Sequence, residues 1–62
     1  MYKFTVTIKN EDDVPSTISI DQNIETAYQA KNEVRNIGVN GLIDNQRYYP
    51  PHRILEINFE EL

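Results

Sequence analysis

From Tyr2 to Lys9 the chain alternates without exception, with Tyr2, Phe4, Val6 and Ile8 on one side and Lys3, Thr5, Thr7 and Lys9 on the other. A period of two is the signature of a strand with one face buried and one solvated, and a one-residue slip would turn every apolar side chain to water. The rest of the chain must therefore cover one face of this strand. Leu55, Ile57 and Phe59, alternating with Glu56, Asn58 and Glu60, repeat the pattern near the C-terminus. These two segments are the expected middle of a sheet.

Between them the punctuation is regular. Asn10-Glu11-Asp12-Asp13 supplies turn residues, and Ile18 and Ile20 then share one side while Thr17 and Ser19 point away from it, which makes a hairpin with the first strand. Proline cannot donate to a central ladder, so the returning strand is expected to start after Pro15 and to lie at an edge. Asp21 or Asn23 is placed to cap a helix running to about Ile37, with Gly38 as its stop. Ile24, Ala27, Ala30 or Lys31, Val34 and Ile37 give that helix one apolar stripe, while Glu25, Gln29, Asn32, Glu33 and Asn36 face water.

After the helix, Leu42-Ile43 and Arg47-Tyr48-Tyr49 flank the turn residues Asp44-Asn45-Gln46, a second and shorter hairpin. Gly41 is read as a turn or close-approach residue. Pro50-Pro51 ends regular pairing, His52-Arg53-Ile54 bends, and the last strand follows. The order is ββαββ(β), an α+β fold in which a single amphipathic helix packs on one face of a mainly antiparallel sheet. The open face is expected to carry Lys3, Thr5, Thr7, Thr17, Ser19, Glu56 and Asn58, with Leu42, Ile54 and one tyrosine as apolar islands.

At 62 residues the chain has room for one small domain, spanning 1–62, and one core. Such a core rarely supplies more than about 3 to 5 kcal/mol, and without cysteine there is no disulfide to add to it. Self-association is one way to strengthen it. No run of about 18 apolar residues is present to span a bilayer, and the N-terminus has no apolar segment of signal-peptide length, so a cytoplasmic protein with no membrane partner is expected.

Chemistry is scarce. His52 is the only histidine and there is no cysteine, which leaves no zinc ligand set. Glu11-Asp12-Asp13 lacks the ligand spacing, central glycine and terminal glutamate of a calcium loop, and reads as a solvated turn. Gly38 and Gly41 form no phosphate-binding loop. No serine or threonine is placed by the sequence beside His52 with an orienting acid. The sequence thus carries no catalytic, metal or cofactor signature, and a non-enzymatic protein is expected.

One segment concentrates residue types that bind. Arg47, Tyr48, Tyr49, His52 and Arg53 cluster around the two prolines, and tyrosine and arginine are enriched at interface hot spots because they offer area and hydrogen-bonding tips at modest entropy cost. Alternation sends one tyrosine inward and the other outward; Tyr48 is taken as the outward one because Tyr49 abuts the prolines. The function expected is that of a small protein-binding or regulatory accessory module, possibly homodimeric, with a protein partner or a second copy of itself. The alternative is a nucleic-acid-associated protein or an acidic competitor of a nucleic-acid-binding partner. A net charge of −4 disfavours direct phosphate binding.

Overall fold

The computed structural model describes residues 1–62, and its elements follow the expected order. Strand β1 (Tyr2–Lys9) pairs antiparallel with β2 (Pro15–Gln22), helix α1 (Ala27–Asn40) follows, and the short strands β3 (Leu42–Asp44) and β4 (Arg47–Tyr49) make the second hairpin. A 3₁₀ turn, Pro51–Arg53, then leads into β5 (Ile54–Glu61). The fold is α+β, one helix against an antiparallel sheet of order β2-β1-β5.

The alternation of β1 does what its period requires. Tyr2, Phe4, Val6 and Ile8 are all buried under the helix side, and they make up more than half of the seven buried residues, the others being Ala30, Ile37 and Leu42. Two clusters result. Val6, Ile8, Ile37 and Leu42 form one, flanked by half-buried Ile18, Ile20, Tyr49, Ile54 and Ile57; Tyr2, Phe4 and Ala30 form the other, flanked by Ile24 and Val34. Ala30 is the contact point of the helix on the aromatic end of β1, where its single methyl lets the two elements approach closely. Tyr2 is buried beside Phe59, and its hydroxyl donates to Glu61 Oε2 at 3.1 Å. Burial, first, and then the hydrogen bond and negative charge of Glu61 raise the Tyr2 phenol above its ordinary value.

Several expectations are corrected. Only β1 is central; β5 is an edge strand, because the β3–β4 hairpin forms its own two-stranded sheet and leaves β5 without an outer neighbour. Leu55 does not take the core place opposite Ile8 that the alternation of β5 would give it. A register shift between Thr7 and Ile8 pairs Glu56 with Thr7 and Ile54 with Ile8, so Leu55 is the extra residue of a β-bulge and Ile54 takes the core position. Ile54 and Leu42 are thus core residues and not islands on the open face.

The helix also starts and stops three to five residues later than its apolar pattern suggests. Asp21 is still in β2, and Thr26 is the cap: its hydroxyl accepts from Gln29 N–H at 3.2 Å while Gln29 Oε1 accepts from Glu25 N–H. This is a variant of the Thr-x-x-Gln capping box. At the other end the helix runs through Gly38 and stops at Gly41, whose N–H donates to the Ile37 carbonyl at 2.9 Å. Gly41 has φ 88° and ψ −179°, a conformation essentially reserved for glycine.

Candidate functional site

The two-residue turn Asn45-Gln46 sets the geometry of the candidate contact region. Both residues have positive φ, 48° and 69°, the form of a type I′ turn whose twist matches that of the flanking strands. The turn fixes the pairs Asp44–Arg47, Ile43–Tyr48 and Leu42–Tyr49. Directly opposed residues share a face, so Leu42 and Tyr49 go inward together and Ile43 and Tyr48 outward together. Leu42 is buried and Tyr49 half-buried against the core, whereas Ile43 is 74% and Tyr48 57% exposed.

Tyr48 is outward, as its distance from the prolines suggests, yet it is tethered. Its hydroxyl donates to the Asn40 carbonyl at 2.9 Å, one of the acceptors left free at the helix end. The ring lies over Gly41, where a β-carbon would come within 2.8 Å of Tyr48 Cε1 and 2.5 Å of the Tyr49 carbonyl oxygen. Gly41 is thus a close-approach residue: the absence of a side chain lets the hairpin fold back on the helix terminus. The tether holds the aromatic ring in place before any partner arrives, which lowers the entropy cost of burying it.

Arg47, Tyr48, Tyr49 and Arg53 come together around an open groove of about 530 Å³, whose other wall is the β1–β2 turn, Lys9 to Asp12. His52 is exposed on the 3₁₀ turn and does not line it. The Arg47 guanidinium sits 5.9 Å from the centre of the Tyr49 ring, within cation–π range. Lys9 Nζ lies 3.2 Å from Asp13 Oδ1, the one ion pair of the chain. Asp12 Oδ1 accepts from Val14 N–H at 3.3 Å, and the Asn10 amide donates to Ser16 Oγ, so the acidic turn is ordered by its own side chains. The groove is polar and of mixed sign, with Glu11 and Asp12 facing Arg47 and Arg53. Nowhere do three histidine or carboxylate side chains converge in a geometry for holding a metal ion.

Two participants were not singled out from the sequence. Ile43 was legible in principle, because a two-residue turn at Asn45-Gln46 pairs it with Tyr48 and hence fixes its face. The Lys9–Asp12 wall was not, since it reaches Arg53 only through the antiparallel pairing of β1 with both β2 and β5. No helix is long and apolar enough to cross a membrane. Compared with protein-family models, with curated proteins and with solved structures, the chain finds no match.

Proposed function

We propose that this chain is a small, non-enzymatic protein-binding accessory module, and that the outward face of the β3–β4 hairpin is its contact surface. The observation that carries this reading is the exposed pair Ile43 and Tyr48, opposite one another on that face. An aliphatic and an aromatic side chain on rigid, hydrogen-bonded backbone have the composition of an interface centre, and Arg47, held over Tyr49, stands at its border. Arg53, without a carboxylate within ion-pair distance, adds a free guanidinium nearby. The test is affinity capture of a stoichiometric partner by the wild type and by Ile43→Asp. Ile43 is mostly solvent-exposed, so the variant should fold as the wild type does and lose the partner; capture of the same partner by both would remove this surface from the reading.

Direct phosphate binding is a second reading, supported by Lys9, Arg47 and Arg53 around one groove. Against it stand Glu11 and Asp12 on the same rim and a net charge of −4. A titration with single-stranded RNA and duplex DNA at low and high salt separates the two, because phosphate contacts weaken steeply with salt.

A further inference from the structure

The outer edge of β5 is an open strand edge eight residues long that carries exposed apolar side chains. Its neighbour on the inner side is β1, and on the outer side it has none. Leu55, pushed out by the bulge, is 57% exposed and Phe59 is 37% exposed. Between β5 and α1 runs an open groove of about 340 Å³ lined by Val34, Gly38, Pro51, Ile54, Leu55 and Ile57 together with Glu56. Leu55, Ile57 and Phe59 therefore form an apolar strip on the helix side of an unpaired edge, in a chain that buries only seven residues. The β2 edge begins at Pro15, turns Ile18 and Ile20 to the core, and carries Ser16, Thr17, Ser19, Asp21 and Gln22 as its other residues, with no exposed large apolar side chain after Val14.

We infer that a second copy of this chain adds across β5, antiparallel and centred on Ile57, joining the two sheets into one with both helices on the same side. Antiparallel two-fold pairing must be centred on a residue, and among the three centres nearest the middle of β5, Glu56, Ile57 and Asn58, the charges choose. Centring on Glu56 sets that glutamate against its own copy, and centring on Asn58 sets Glu56 against Glu60, like charges directly opposed in both cases. Centring on Ile57 sets Glu56 opposite Asn58, whose amide already donates to Glu56 Oε1 within its own chain at 3.0 Å. It brings Leu55 beside Phe59 of the second copy on both sides of the axis, with the two Ile57 side chains between.

The ends of the strand agree. β5 is preceded by His52-Arg53 and finishes with Glu60-Glu61, so an antiparallel copy brings the acidic end of each strand beside the basic start of the other. The guanidinium of Arg53 has no carboxylate within ion-pair distance in its own chain. The occupant with this charge order and this apolar spacing is β5 itself.

Sedimentation over a concentration series to near-millimolar should show a monomer–dimer equilibrium for the wild type. Leu55→Asp should weaken it by about tenfold or more, the scale of an interface hot spot, with an unchanged circular dichroism spectrum because the side chain is outside the core. The Ile43→Asp variant that tests the hairpin should dimerise as the wild type does. Because the chain has no cysteine, single cysteines read the register directly: a mixture of Glu56→Cys and Asn58→Cys chains, both at exposed positions, should form the mixed disulfide in preference to either homodimer. A wild type that stays monomeric at every concentration, a dimer indifferent to Leu55→Asp, or preferential self-linking of either cysteine variant would each overturn the pairing.

Discussion

Gly38 and Gly41 are the only two glycines and lie three positions apart, and alanine at each should move stability in opposite directions. At Gly38 the backbone is helical, and an added β-carbon meets nothing within 4 Å. Alanine there should stabilise by about 0.5 to 1 kcal/mol, the cost of glycine's extra freedom in the unfolded chain. At Gly41 the same methyl would lie 2.5 Å from the Tyr49 carbonyl oxygen, a backbone atom held in the hairpin, and 2.8 Å from the Tyr48 ring. The φ of 88° adds its own strain, about 1 to 3 kcal/mol for a side chain in such a region. Relief requires the hairpin to swing off the helix end, loosening Leu42 from the core and the Tyr48 hydroxyl from Asn40. A destabilisation of about 2 kcal/mol or more follows. In a domain of this size each kcal/mol shifts the melting temperature by about 4 to 8 °C. Thermal denaturation followed by circular dichroism should therefore place Gly38→Ala a few degrees above the wild type and Gly41→Ala about 10 °C or more below it. If both variants melt on the same side of the wild type, the close approach at Gly41 is not what positions the hairpin.

Phe4→Ala removes a fully buried ring and should cost about 3 to 5 kcal/mol, comparable to the whole stability, leaving a collapsed amide spectrum; Ile57→Ala, half-buried on an edge strand, should remain folded. Gln46→Gly should raise the melting temperature, since the second turn position has φ 69° and glycine relieves about 1 kcal/mol of left-handed strain; an unchanged or lower melt would contradict the type I′ assignment. The Tyr2 phenol is raised above its ordinary value of 10.0 by burial and by Glu61, so the fold favours its neutral form. Its contribution is complete below that value and is lost as pH rises through the higher folded one. Urea denaturation at stepped alkaline pH should show a loss in the wild type that Tyr2→Phe lessens, and parallel losses in the two proteins would place the phenol outside the linkage.

Local periodicity and turn chemistry were enough for much of this molecule. The burial of every second residue of β1, the hairpin into β2, the single helix, a second hairpin turning near Asp44 to Gln46 (the structure narrows the turn to Asn45-Gln46, with Asp44 in β3) and the outward face of Tyr48 all rest on interactions within a few residues or on the two-residue period of a strand. The Thr26-x-x-Gln29 signature also stands in the sequence, but the apolar spacing begins ahead of it at Ile24 and so points to Asp21 or Asn23 as the cap. Ile24 does pack on the core, from the loop ahead of the helix.

The remaining features depended on which elements meet. Leu42 looks like an open-face residue if the second hairpin joins the main sheet; once the hairpin forms its own sheet, Leu42 turns to the core with Tyr49, while Ile54 reaches it through the register shift in β5. The bulge at Leu55 is invisible in β5 alone, since it exists only as a mismatch in register with Thr7 and Ile8. The helix stop moved from Gly38 to Gly41 for the same kind of reason. Both glycines permit a stop, and only Gly41 lies where the hairpin backbone must come closer than a β-carbon allows. A residue's own preferences are short-range and are written in the sequence, whereas the choice between two positions with equal preferences is made by the packing of segments distant along the chain.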